Sequence, residues 1–323
     1  MLKVLIIRFS SIGDIVLTTP VIRCVKNQKG WEVHYLTKEG FESLLRNNPY
    51  IDKIHTLENT LISELKKEKY DLIIDLHNNL RSHKIRWLLG VKSLSFHKAN
   101  IEKWLTVNTP INLLPDLHLV DRYFEALKDL EIVDDGEGLD FHLEQDAVDK
   151  ARQVTHSLKS YVCLNLGATY YTKRITSGLA ESVVSKSNQP VILIGGQDTS
   201  ETAELLNDLF PQTVINMCGK INLQTSAAIV KGARFLITGD SGMMHIGAAF
   251  QKAIYSIWGN TIPGFGMYPF YGSNSNQEGV ILEVNDLSCR PCSKIGSDSC
   301  PKGHFRCMKD QDLSPIYDAL STD

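Results

Sequence analysis

The sequence predicts an α/β fold of two doubly wound, Rossmann-like domains, and three observations carry that expectation. Short β-branched apolar runs alternate with segments of helical period, the alternation restarts near residue 160, and several runs end in loops of small and polar residues. Near-continuous apolar strands are what a parallel sheet covered on both faces requires. With 323 residues, 43% of them apolar, the chain can bury two cores.

The first half reads in order as a strand Lys3 to Phe9, a helix from about Asp14 to Gln28, a strand Glu32 to Leu36 and a helix from about Glu39. Ile51 to Leu57 adds a strand, Leu61 to Lys69 a helix, Asp71 to Leu76 a buried strand, and His118 to Leu130 a further helix. The acidic stretch Asp134 to Gly138 opens a linker that runs to about Lys159. The second half repeats the pattern. Strands are expected at Tyr161 to Leu166, Val191 to Gly195, Val214 to Met217, Arg234 to Thr238 and Ala253 to Trp258. Helices are expected at Ser177 to Ser187, Thr199 to Phe210, Leu223 to Lys231 and Gly242 to Phe250. The domains are therefore 1–150 and 151–310, with 311–323 a terminal helix packing back across both.

Net charge is -3, which argues against nucleic-acid binding. No apolar run approaches the ~20 residues that span a bilayer, and the first strand begins at Lys3 without room for a leader, so the expected location is the cytoplasm. No Gly-x-Gly-x-x-Gly follows any strand, which weakens a dehydrogenase reading.

Ligands in open α/β sheets bind at the carboxyl edges of the strands. At the first such edge, Ile7-Arg8-Phe9-Ser10-Ser11-Ile12-Gly13-Asp14 places an acid between strand and helix. Asp14 there is either a helix cap or a group facing a cleft. Phe235 to Ala249 holds Thr238-Gly239-Asp240-Ser241-Gly242-Met243-Met244-His245, where a strand gives way to a helix whose first amides suit a phosphate. His245 stands one turn in. Leu164 to Thr176 runs a strand into Gly167-Ala168-Thr169 and a Lys173-Arg174 pair, of which Arg174 reads as solvated surface. Gly195-Gly196 is followed by Asp198 and Glu201, acids suited to ribose hydroxyls. Asp71 to Ser82 ends in His77 and Arg81, with Lys84, Arg86, Lys92 and Lys98 after them.

Cys289-x-x-Cys292 followed by Cys300, His304 and Cys307 has the ligand spacing of a structural zinc site, while free thiols are the default in a reducing cytosol. Cys24, Cys163 and Cys218 lie in apolar stretches as core residues.

The strings around Asp14 and Asp240 resemble those of the ADP-heptose:lipopolysaccharide heptosyltransferases, glycosyltransferase family nine, and the cysteine tail resembles that of one subgroup. The resemblance implies the GT-B architecture, two facing Rossmann-like domains with a cleft between them. It implies an inverting transfer with no metal required, from an ADP-sugar donor to a lipid-linked saccharide acceptor at the membrane surface, with peripheral attachment to the inner membrane. Asp14 would be the catalytic base. Thr169, Lys173, Glu201, Asp240, Ser241, Gly242, Met243 and His245 would bind the donor, and Ser10, Ser11, His77 and Arg81 the acceptor. Ile175-Thr176 stands where the family has Trp-Pro. The alternatives are a transferase of the same family with another sugar or acceptor, and a zinc-stabilised interaction protein without catalysis.

Overall fold

Strand β1 (Lys3–Ile7) is buried from Val4 to Ile7, as a central parallel strand must be. The computed structural model describes residues 1–58 and 61–322. The single helix expected after β1 is two, α1 (Ile12–Val16) and α2 (Thr19–Lys29). Pro20 is the cause, because it has no N–H to give the Val16 carbonyl. Thr19 Oγ1 donates to that carbonyl at 2.7 Å and Thr18 Oγ1 to the carbonyl of Ile15 at 2.7 Å, so the break leaves neither unpaired. Gly30, at φ 64°, ends α2 in the left-handed conformation.

Then come β2 (Glu32–Thr37), β3 (Lys53–Thr56), α3 (Leu61–Glu68), β4 (Leu72–Asp75), α4 (Leu80–Leu89), β5 (Ser93–Ser95), α5 (Asn100–Asn108), α6 (Leu119–Glu125) and α7 (Gln145–Thr155). Glu39–Leu44 is a 3-10 turn rather than an α-helix. The strands form one parallel sheet in the order β3-β2-β1-β4-β5. Leu5, Ile7, Phe9, Leu36, Leu65 and Ile73 pack into its core.

The second sheet is built from β6 (Val162–Asn165), β7 (Val191–Ile194), β8 (Val214–Asn216), β9 (Phe235–Gly239), β10 (Ala253–Trp258) and β11 (Val280–Glu283), in the order β11-β10-β9-β6-β7-β8, all parallel. Its helices are α8 (Ser177–Ser185), α9 (Ser200–Leu209), α10 (Leu223–Gly232), α11 (Gly242–Ala249), α12 (Arg306–Lys309) and α13 (Ser314–Ser321).

The chain divides into two units, and no single boundary separates them. The first holds Met1–Ala99, Asp116–His142 and Phe270–Ser275, and the second holds Asn100–Pro115, Leu143–Pro269 and Asn276–Asp323. The acidic stretch at 134–138 is part of the first unit and not a linker. Buried Arg23 on α2 donates to Asp135 at 2.7 and 2.8 Å and to the Gly138 carbonyl at 2.8 Å, and it also pairs with Asp140. The rest of the expected linker holds α7, which packs on α10. Leu313, Ile316 and Leu320, in and just before α13, join the core of the second unit with Phe305 and Met308.

Candidate functional site

In the first unit, the loop after β1 is organised by Arg8. Its buried guanidinium donates to the Ser10 carbonyl at 2.9 Å and the Leu76 carbonyl at 2.6 Å, and it pairs with Asp14. It thereby ties the ends of β1 and β4 to α1. Asp14 is not the helix cap. Ser11 caps α1 and Asp14 stands at its third position, accepting from the Ser11 N–H at 3.0 Å and the Ser11 hydroxyl at 2.6 Å. The Asp14 side chain remains 18% exposed, so a carboxylate held by a buried cation still reaches the surface.

His77 packs its ring 4.7 Å from that of Phe9 and is held by its own amide bond to Asp75 Oδ1 at 3.0 Å. Its Nδ1 is buried without a hydrogen-bond partner, and burial, reinforced by the charges of Arg8 and Lys98, pushes the imidazole down to about 4. It is neutral near pH 7. Ser11 and Arg81 are exposed and Ser10 half-buried. Asp75 is fully buried, where Arg86 meets it at 3.3 Å.

In the second unit, Lys173 Nζ lies 2.7 Å from Asp240 Oδ2, and Thr261 Oγ1 donates to the same oxygen at 2.8 Å. Glycine brings these segments together. A Cβ on Gly239 would run into the Lys173 carbonyl, and one on Gly259 would lie 2.6 Å from the Thr172 carbonyl. Asn165, at the end of β6, donates to Gly167 O at 2.9 Å, Thr238 Oγ1 at 2.9 Å and Ser241 Oγ at 3.1 Å. One amide thus joins two strand ends to the start of α11. Ser241 caps that helix, so Gly242 and Met243 open it with amides that have no intrahelical acceptor, an arrangement suited to an anion.

The remaining candidates scatter. Thr169 and Glu201 are exposed, and His245 is buried within α11. Arg174 is not solvated surface. It pairs with Asp198 and donates to the Ala168 carbonyl at 3.1 Å, bracing the loop from behind. Arg8, Asn165 and the two glycines were not singled out by sequence reasoning. Their residue types were visible, but their partners are far along the chain.

The cysteine tail supports this loop. Thr172 exchanges bonds with Ser297, N–H to carbonyl at 3.1 Å and Ser297 N–H to Thr172 Oγ1 at 2.9 Å, and Tyr171 stacks on Phe305 at 5.7 Å. All seven cysteines are free. Cys289 Sγ lies 3.8 Å from His304 Nε2, and the Cys292 thiol donates to the Cys289 carbonyl at 2.7 Å. Burial, with the Cys289, Cys307 and Cys300 thiols adding to it, pushes Cys292 up to about 12. Among the described residues, the groups whose metal-ligand atoms close within 4.8 Å are instead His34, His55 and Glu68, and Cys24, Asp134 and Asp135. Protein groups hold both, Glu68 by Lys3 at 2.9 Å and Lys53, and Asp135 by Arg23. A cavity of about 980 Å³ also lies in this unit, walled by the 106–112 and 283–292 segments, and none of the donor candidates lines it.

Two parallel-sheet α/β units with polar loops at their strand ends are an architecture that solved glycosyltransferase structures share. A family-9 glycosyltransferase structure from Veillonella parvula superimposes with a TM-score of 0.77 at 19% identity, over 98% of this chain and 95% of the other. The E. coli ADP-heptose lipopolysaccharide heptosyltransferase II gives a TM-score of 0.69 at 16% identity, over 99% and 100%. In sequence, lipopolysaccharide heptosyltransferase 1 of Campylobacter coli is 24% identical over 292 residues, 80% of this chain and 84% of the relative. Residues 59–299 match glycosyltransferase family 9 (heptosyltransferase), and the chain belongs to that family. It is a glycosyltransferase.

Proposed function

We propose that the protein transfers heptose from ADP-heptose to a lipid-linked saccharide of the lipopolysaccharide core, with inversion and without a metal, as a peripheral protein at the cytoplasmic face of the inner membrane. Family membership supports the class. The observation that carries the chemistry is the Lys173 and Asp240 pair beside the open amides of α11, a cation and a helix start where a diphosphate can be held.

In this reading Asp14 accepts the proton of the acceptor hydroxyl as that oxygen attacks the anomeric carbon and the bond to the diphosphate breaks. Arg8 aims the carboxylate, and Ser10, Ser11, His77 and Arg81 position the acceptor. Lys173 and the amides of Gly242 and Met243 take the charge that develops on the departing diphosphate, a task other transferases give to a divalent cation. Asp240, released as Lys173 turns to the diphosphate, meets the sugar; Thr169, Ser241 and His245 complete the donor site, with Glu201 on the ribose. Charge stabilised only as the bond breaks lowers the barrier, whereas charge stabilised equally in the bound donor does not.

Calorimetric titration with ADP, UDP and GDP, with and without chelator, tests the donor side. ADP should bind selectively, equally well with chelator, and more weakly to Lys173→Ala. Absence of binding to any nucleotide overturns the reading, and nucleotide binding abolished by chelator overturns its metal independence.

A further inference from the structure

Apart from Met1, the two most exposed large apolar side chains among the described residues are Leu80 at 89% and Trp87 at 80%, and both lie on α4. Their spacing of seven puts them on one face of the helix, with Lys84 between them. The opposite face is fixed. Ser82 and Ile85 are buried, Arg86 is held by Ser93 Oγ at 2.8 Å and by Asp75, and α4 packs on α3. Asn79 and Gly90 cap the two ends. The helix is therefore rigid and cannot turn Leu80 and Trp87 inward.

Charge identifies what meets this face. From Leu76 to Ile101 the chain has five Lys or Arg and no Asp or Glu, although the whole protein carries net charge -3. Arg81 and Lys84 flank the apolar pair and are exposed. Exposed Trp and Leu among lysine and arginine on a short helix suit the interface of an anionic bilayer. There the indole and the leucine enter the headgroup boundary while the cations meet lipid phosphates. A nucleic acid would use the cations but leave the apolar pair wet.

We infer that the outer face of α4, formed by Leu80, Lys84 and Trp87 with Arg81 beside them, docks the protein on an anionic lipid surface. The inference deepens the reading of a lipid-linked acceptor and rests on it. The docking itself requires no substrate, so it can be measured apart from transfer.

The test is flotation with vesicles of phosphatidylcholine alone and of phosphatidylcholine with phosphatidylglycerol in equal parts, at low and high salt. The protein should float with the anionic vesicles and be released by salt. Lys84→Ala should weaken partition about fivefold, and the double variant Leu80→Ser, Trp87→Ser by at least about tenfold. Both variants should keep the melting midpoint, because the replaced side chains are exposed, and should keep turnover on a delipidated, water-soluble acceptor. Equal binding to neutral vesicles, or unchanged partition of the double variant, overturns the inference. So does a self-associating protein that the double variant converts to monomer with no effect on flotation, since a second copy then covers the face. A wild-type protein that floats but transfers to no acceptor leaves the docking standing and removes the reaction assigned to it.

Discussion

Lys173 Nζ is 2.7 Å from Asp240 Oδ2, and both are mostly covered, with 16% and 11% of their side chains exposed. The cation that we propose for the diphosphate therefore already has a carboxylate partner, which donor binding would have to replace. Such an exchange favours a ligand carrying more negative charge than Asp240. It would also leave Asp240 to Thr261 and, on the proposed reading, to the sugar.

Replacing Lys173 with Ala should weaken ADP binding by roughly 10- to 100-fold, the scale of one hydrogen bond to a charged group. The variant should fold with a lowered melting midpoint, because Asp240, mostly covered, keeps Thr261 but loses its cation. Calorimetry with ADP reads the affinity, and Lys173→Arg should recover part of it.

Gly239→Ala should be damaging, because the new methyl meets the Lys173 carbonyl, a backbone atom that cannot rotate away. We expect a loss of about 1–3 kcal/mol, the usual cost of overpacking, accompanied by weaker ADP binding. Urea denaturation and titration measure the two together.

Arg8→Met should lower the melting midpoint and transfer rate together. It removes the donors to Ser10 O and Leu76 O and the ion pair to Asp14 from a buried site. The stability loss should be about 3–5 kcal/mol, as when one partner of a buried pair is deleted. Asp14→Asn spares the carbonyl contacts and should cost less stability.

Acid sensitivity should trace in part to His55. Burial, then the charges of His34 and Lys53, pushes this imidazole down to about 4, and its Nε2 lies 3.0 Å from Tyr70 O–H and 3.2 Å from His34 Nδ1. The folded state holds the neutral form. The stabilisation is therefore present above the unfolded value of about 6.5 and is lost as pH falls through about 4, up to about 3 kcal/mol for this shift. Urea midpoints of the wild type should decline over that window, and those of His55→Gln should decline less.

The strands were legible because a buried parallel strand is a short, β-branched apolar run that few surface segments imitate. Helices with weak stripes were not. α4 buries only Ser82 and Ile85 and exposes Leu80 and Trp87 on its other face, so it shows no apolar stripe. α7 does carry Ala147, Val148, Ala151 and Val154 at helical spacing, and it was passed over because the acidic, glycine-containing stretch before it read as the start of a linker. The edge strands β5 and β11 are only partly buried and were missed, because neither makes a buried apolar run. At the candidate site, Asp14, Lys173 and Asp240 could be chosen from their strings, but what holds them could not. Arg8 reaches Leu76, Asn165 reaches Thr238 and Ser241, and Thr172 reaches Ser297, all pairings set by the sheet order and the return of the tail.

The most direct test of the account is transfer from ADP-heptose to a lipid-linked core acceptor, comparing wild type with Asp14→Asn and determining the anomeric configuration of the product. The account predicts an inverted product and a fall in kcat of about 10²- to 10⁴-fold, the scale of a lost general base, with ADP affinity unchanged. A retained configuration, or a variant that turns over at the wild-type rate, would contradict it.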